Sequence, residues 1–236
     1  MTPDALAGVM ERTWPPARAF AVGPWCIRDG QGGGKRVSAA TAGPSWSDEA
    51  IPEAEAAMQA LNQTPLFLIR QGDDLLDQAL QSRGYRVVDP VVAYVAPCAT
   101  LADPPAPPMA AFAHWPPLAI CSEIWAGGGI GAARVAVMQR ASVPKCAILG
   151  RAKDQPTGVA FVAIHQGVAM LHALEVRPGA RRQGSAHNIL RAAAAWAQEN
   201  GAETFSLVVT VANTAARNLY ASLGMQVVGQ YHYRQR

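Results

Sequence analysis

The chain has 236 residues, half of them apolar and 16% charged, with a formal net charge of +3. That is enough apolar material to bury a core, too much for a disordered chain, and too little positive charge to argue for nucleic acid. No apolar run approaches the roughly 18 residues of a membrane span, the opening MTPDALAGVMERTW does not read as a signal peptide, and Cys26, Cys98, Cys121 and Cys146 lie far apart with no Cys-x-x-Cys. A membrane protein, a disulfide scaffold and a cysteine-ligated zinc ribbon are therefore excluded, and free thiols in a reducing, cytoplasmic setting are expected.

In chain order, residues 1–12 read as a short helix. Residues 19–28 read as a strand, followed by a turn rich in glycine (Gly30, Gly32, Gly33, Gly34) and a second strand over 35–40, a hairpin signature. A helix is expected over 48–62 with Ser47 as N-cap, a strand over 65–70, a helix over 73–83 closed by Gly84, and a strand over 87–95. Residues 97–117 concentrate proline, including Pro104-Pro105, Pro107-Pro108 and Pro116-Pro117. Proline removes backbone donors and fixes φ, so this stretch reads as a linker. It suggests a lobe at 1–100, a linker at 101–117 and a second domain at 118–236. Beyond it, a helical region over 118–140 is interrupted by Gly127-Gly128-Gly129. Strands over 145–151, 158–165 and 169–176 follow. A turn over 177–183 leads to a helix over 184–200, a strand over 203–211, a helix over 213–223 closed by Gly224, and a last strand over 226–233.

One internal similarity stands out. Leu80-Gln-Ser-Arg-Gly84-Tyr-Arg-Val-Val88 matches Tyr220-Ala-Ser-Leu-Gly224-Met-Gln-Val-Val228, 140 residues later. Each is a helix end, a glycine suited to the left-handed position that stops a helix, and a strand. The match suggests a duplicated fold.

The segment Leu171-His-Ala-Leu-Glu-Val-Arg-Pro-Gly-Ala-Arg-Arg-Gln-Gly-Ser-Ala186 runs from a strand through a basic turn into a long Ala-rich helix. The first turn of such a helix carries unpaired N–H groups and the positive end of the dipole. Gly184 lets a ligand approach the backbone closely, and Arg181 and Arg182 add two fixed charges. Together they suit a diphosphate; an ordinary strand-to-helix turn with solvated arginines is the alternative.

Arg181-x-x-Gly184-x-Ala186 fits the (Q/R)-x-x-G-x-(G/A) acetyl-CoA loop of the GNAT family of N-acetyltransferases. Val176-x-Pro178 resembles the end of that family's fourth strand. Asn213-Thr-Ala-Ala-Arg-Asn-Leu-Tyr220-Ala-Ser-Leu-Gly224-Met resembles its final motif, N-x-x-A-x-x-L-Y-x-x-x-G-F. The resemblance covers residues 118–236. The first hundred residues are loosely similar to the degenerate first repeat of bacterial tandem members, through Trp25-x-Ile-Arg, the glycines and Lys35-Arg36-Val37.

The resemblance implies an α/β (α+β) fold, a mixed, mostly antiparallel sheet flanked by helices, behind a related degenerate lobe. It implies transfer of an acetyl group from acetyl-CoA to a primary amine by direct attack in a ternary complex, with no metal. Backbone groups of Leu174 and Val176 would pair with the pantetheine amides. The N–H groups of Arg182, Gln183, Gly184, Ser185 and Ala186 would hold the pyrophosphate beside Arg181. Asn213 would contact the cofactor arm, and Tyr220 would protonate or hydrogen-bond the departing thiolate.

An amine must lose a proton to react, and Glu175, in an apolar strand beside those contacts, is the first candidate base. Pairing with an arginine, or binding the amine as a counter-ion, is its alternative. Strand alternation puts His172, a weaker candidate, on the face opposite Glu175. A non-catalytic acyl-CoA sensor and a nucleotide-binding module are the competing functions. The acceptor is a small-molecule or protein amine, not nucleic acid or membrane, and the protein a monomer or homodimer. Gly30-Gln-Gly-Gly-Gly34-Lys35-Arg36 fails the phosphate-loop pattern and reads as a hairpin turn.

Overall fold

The computed structural model describes residues 2–236. The elements run α1 (Pro3–Thr13), β1 (Arg18–Val22), β2 (Trp25–Asp29), β3 (Thr41–Ala42), α2 (Ile51–Ala60), β4 (Leu66–Ile69), α3 (Asp74–Ser82), β5 (Arg86–Pro97) and α4 (Cys98–Ala102). They continue with β6 (Ala111–His114), α5 (Ala119–Gly127), α6 (Ala132–Arg140), β7 (Lys145–Ala152), β8 (Gln155–His165), β9 (Val168–Val176), α7 (Ser185–Glu199), β10 (Thr204–Thr210), α8 (Thr214–Ser222) and β11 (Gln226–Gln235). No helix among the described residues is long and apolar enough to cross a membrane.

β1, β2 and β3 form a small sheet. The other eight strands form one sheet in the order β4-β11-β5-β10-β9-β8-β7-β6, in which only β9 and β10 run parallel. This is the mixed, mostly antiparallel sheet that the sequence predicts. Its middle strands are covered on both faces, so they read as apolar runs rather than as alternation. On β8, Ala160, Val162 and Ile164 face α7, while Val159, Phe161 and Ala163 face α5 and α6. α7 turns Ile189, Leu190, Ala193, Ala194 and Ala197 to the sheet, all fully buried. Gly150 and Gly158 let it settle there: a Cβ on Gly150 would stand 2.7 Å from Ile189 Cδ1. Phe161 and Trp125, both fully buried, anchor the other face. Burying a side chain such as Phe161 contributes about 1.5–3 kcal/mol.

The order of the sheet carries an exchange. β5, from the first hundred residues, lies between β10 and β11. β11, formed by residues 226–235, lies between β4 and β5. The similarity seen at 140 residues is exact at the level of elements: α3 and α8, and the starts of β5 and β11, all stand 140 apart. Tyr85 N–H donates to Leu80 O at 3.0 Å and Met225 N–H to Tyr220 O at 3.1 Å, across Gly84 (φ +85) and Gly224 (φ +73). Gln226 faces Val95 and Gln235 faces Arg86, so β5 and β11 are related by a local twofold axis.

Two expectations fail. Residues 35–40 form no strand: Lys35–Val37 is a single 3-10 turn, and the hairpin turn lies instead at Gly23, between β1 and β2. The glycine run is a loop pressed against α6, where a Cβ on Gly33 would stand 2.5 Å from Val137 Cγ2. That close approach requires glycine at 33, while Gly32 (φ +76) and Gly34 (φ +100) take the left-handed backbone that favours it. The proline-rich segment is also more ordered than a linker. It holds α4, whose Cys98 and Leu101 are buried in the main core, and the edge strand β6. Pro97 sits at the N-cap of α4 and Pro116 and Pro117 follow β6, positions that need no donated hydrogen bond.

Candidate functional site

β9 and β10 pair only from Val168↔Thr204 to Leu171↔Leu207. Beyond that they part: β9 continues beside β8, and β10 beside β5. The departure coincides with a β-bulge in β9, where Ala173 takes φ +52. A non-glycine residue there is strained and needs support from its surroundings. Trp125, on α5, supplies it by donating its Nε1–H to the Ala173 carbonyl at 2.8 Å. The edge of β9 beyond the bulge is left without a neighbouring strand.

The bulge overturns the expected placing of His172. Glu175 faces Val159 and His172 faces Phe161, two residues on one face of β8. His172 and Glu175 therefore share the α5/α6 face, while Leu174 and Val176 are half-buried against the core under α7. The Glu175 carboxylate lies over Gly128, where a Cβ would stand 2.5 Å from Oε2. Arg181 Nη2 donates to Glu175 Oε1 at 3.2 Å, and Arg181 Nε donates to the Val176 carbonyl at 3.1 Å. The arginine partner weighed for Glu175 is thus real, and Arg181 comes from the basic loop itself.

His172 is buried, with Nδ1 2.8 Å from Arg36 Nη1 and Nε2 2.9 Å from Thr13 Oγ1. A guanidinium can only donate, so Nδ1 accepts and the proton sits on Nε2. Thr13 in turn donates to the Val9 carbonyl at 2.7 Å. Burial, and then the Arg36 charge, push its pKa well below the usual imidazole range. A neutral imidazole with both nitrogens engaged is a structural link rather than a base.

After β9 the chain makes a short 3-10 turn at Pro178–Ala180, and Arg182 and Gly184 both take positive φ (+60 and +82). Gly184 is the N-cap of α7, whose first turn has no side-chain cap. Arg182 and Gln183 are exposed and Ala186 is half-buried. Ser185 is buried, and its Oγ has no hydrogen-bond partner. A fifteen-residue helix with a bare first turn, an orphaned hydroxyl and two arginines fits a phosphate-bearing ligand.

Beyond β10, Asn213 is the N-cap of α8 and accepts from Ala216 N–H at 3.1 Å. Tyr220, on α8, is 5% exposed, with its ring 5.7 Å from that of Tyr94. Burial, and then Tyr94, push its pKa up to about 12. Tyr220 therefore stays a neutral donor at any ordinary pH.

A cavity of about 230 Å³ opens where the two strands part. Its lining includes His172 and Ala173 from β9, Val208 and Thr210 from β10, and residues of the first hundred: Trp14, Arg36 and Asp89. Sequence reasoning missed that wall. Lys35-Arg36 was visible as a charged pair after the glycines, but nothing local shows that it reaches β9.

Residues 119–225 match the model of the acetyltransferase (GNAT) family. An uncharacterized N-acetyltransferase of Bacillus subtilis (strain 168), YobR, is 25% identical over 238 residues, covering 94% of each chain. A GCN5-related N-acetyltransferase from Kribbella flavida has the same fold over all of this chain and 96% of its own, with a TM-score of 0.73 at 18% identity. A tandem GNAT protein from the clavulanic acid biosynthesis pathway is similar over 84% of this chain and 72% of its own, with a TM-score of 0.61 at 13% identity.

Proposed function

We propose that this protein transfers an acetyl group from acetyl-CoA to a primary amine, by direct attack within a ternary complex. The observation that carries the reading is the parting of β9 and β10 at Ala173, next to the uncapped N-terminus of α7. Acetyl-CoA supplies the activated acyl group. The N–H groups of residues 182–186, with Arg181, hold its diphosphate, and the free edge of β9 at Leu174 and Val176 pairs with the pantetheine amides. Backbone N–H at the bulge stabilises the oxyanion, and the rest of the acceleration comes from placing amine and thioester together.

Glu175 receives the proton that the amine sheds. Tyr220 donates a hydrogen bond to the departing thiolate. Complete proton transfer from a phenol at about 12 to an ordinary thiol near 8.5 costs roughly 5 kcal/mol at about 1.4 per unit. A hydrogen bond without transfer avoids that cost. In this reading the chain is a tandem of two related lobes, 1–100 and 118–236, with chemistry in the second. The support is the spacing of 140 residues between α3–β5 and α8–β11.

The test is calorimetric titration with acetyl-CoA, on the wild type and on Arg182→Glu with its melting temperature checked. Micromolar binding that the folded variant loses is expected, together with amine-dependent release of free thiol. Absence of binding to the wild type sinks the reading. Binding with no turnover on any amine leaves the acyl-CoA sensor.

A further inference from the structure

The cavity where the strands part holds more positive charge than its surroundings neutralise. Lys35, Arg36 and Arg134 line it, with Asp89 as their carboxylate neighbour. Asp89 is taken, since Lys35 Nζ lies 2.6 Å from its Oδ2. Among the described residues neither Arg36 nor Arg134 forms an ion pair. Arg36 is half-buried and donates to the neutral imidazole of His172 at 2.8 Å, while its Nε is buried with no partner at all. A guanidinium withdrawn from water against neutral groups is costly unless an anion completes it. Arg134 stands beside it, its guanidinium 3.3 Å from where a Cβ would sit on Gly34.

We propose that the acceptor is a small amine that also carries an anionic group, bound in this cavity by Arg36 and Arg134. This deepens the acetyltransferase reading and rests on it for the word acceptor. The anion docks on the two guanidiniums, and the amine reaches the gap at Ala173. At about 230 Å³ the cavity is smaller than the roughly 300–1,000 Å³ of pockets for drug-sized ligands, so it suits a metabolite rather than a protein side chain with its neighbours. Planar guanidiniums match carboxylate and phosphate equally well, so both are anions of the proposed class. The first hundred residues thereby gain a role, because Arg36 and the glycine loop that presents it belong to them, while Arg134 belongs to α6.

The test uses matched pairs: L-methionine, L-phenylalanine and L-glutamate against their α-carboxamides, and O-phosphoethanolamine against ethanolamine, with spermidine as a cation. Binding is followed by calorimetry without acetyl-CoA, and turnover by thiol release with it. At least one carboxylate or phosphate member should bind tenfold or more tighter than its neutral partner. Arg36→Gln and Arg134→Gln should each erase most of that ratio, with KM raised, kcat nearly kept and melting temperature within a few degrees of wild type. Arg182→Glu should leave this binding unchanged. Anion binding that persists while acetyl-CoA fails to bind would retain the site and discard the acetyltransferase reading. Neutral amines or spermidine bound as tightly as anions, no member bound by the wild type, or a preference unmoved in Arg36→Gln would overturn the proposal.

Discussion

The stretches α2–β4–α3–β5 and α7–β10–α8–β11 present the same order of helix and strand, yet their helix starts carry opposite charge. α7 begins after Arg181, Arg182 and a left-handed Gly184, with its first turn bare. α2 begins after a 3-10 turn carrying Asp48 and Glu49, two carboxylates where a phosphate would have to sit. Tyr220 on α8 has Leu80 as its counterpart on α3, a fully buried core residue. Tyr94 of β5 packs on Tyr220, and its counterpart Arg234 of β11 instead bonds Asp77 of α3 at 2.7 Å. The scaffold tolerates either chemistry. What distinguishes the halves is a handful of side chains at helix starts and on the exchanged strands.

The largest effect should come from breaking the core of the first hundred residues. Phe67→Ala removes a fully buried ring between Trp25 and Tyr85, at a cost of about 3–5 kcal/mol. Because β11 pairs with β4, calorimetry should show one lowered unfolding transition; two separate transitions would show that the halves melt independently. Next, Arg182→Glu should weaken acetyl-CoA binding about 30- to 100-fold, which is roughly 2–2.7 kcal/mol. Glu49→Lys at the matching place on α2 should leave the titration as it was, and a gain of binding there would make the halves equivalent.

Smaller effects sharpen the picture within the second half. Trp125→Phe leaves the half-buried Ala173 carbonyl without its partner, a loss of about 1 kcal/mol. It should lower kcat more than it changes acetyl-CoA affinity; an equal loss in both would mean that Trp125 only stabilises the fold. Tyr220→Phe should slow turnover about tenfold or less, since a hydrogen bond is lost and no proton transfer. With its pKa at about 12 against about 10 when unfolded, Tyr220 contributes full stability below pH 10 and loses it as the pH rises towards 12. Alkaline unfolding of Tyr220→Phe should accordingly be less steep than that of the wild type over that interval. At the acid end, Arg234 and His232 hold the Asp77 carboxyl below its usual range. That contribution is present above about pH 4 and fades as the pH falls through the lowered value. Asp77→Asn should flatten acid unfolding slightly; an unchanged acid limb would remove Asp77 from the account.

What the sequence discloses follows the range of the interactions. The turn into α7, the helix over 213–223 and the turn at Gly224 are local, set by neighbours a few residues apart, and all are legible. The same holds for Gly84, whose left-handed φ ends α3. Ala173 is different. Nothing nearby marks it as a bulge, and the hydrogen bond that holds it comes from Trp125, 48 residues away in sequence. That one residue reverses the side chains after it, which is why alternation misplaces His172 relative to Glu175. The exchange of β5 and β11 is invisible for a similar reason, because both strands carry patterns that suit several neighbours. Residues 35–40 have strand composition, but packing of the glycine loop on α6 overrides it. The proline-rich segment misleads because proline forbids only some positions, and α4 and β6 use the others.

The interleaving of β5 and β11 has a consequence for how this protein is made. On the ribosome, β5 emerges about 130 residues before its neighbour β11, which at roughly 5–20 residues per second is many seconds. Through that interval β4 and β5 lie open at their edges, with the slot between them unfilled, and an open apolar edge invites the wrong strand. The sheet closes only once the strand from residues 226–235 has been delivered into its middle.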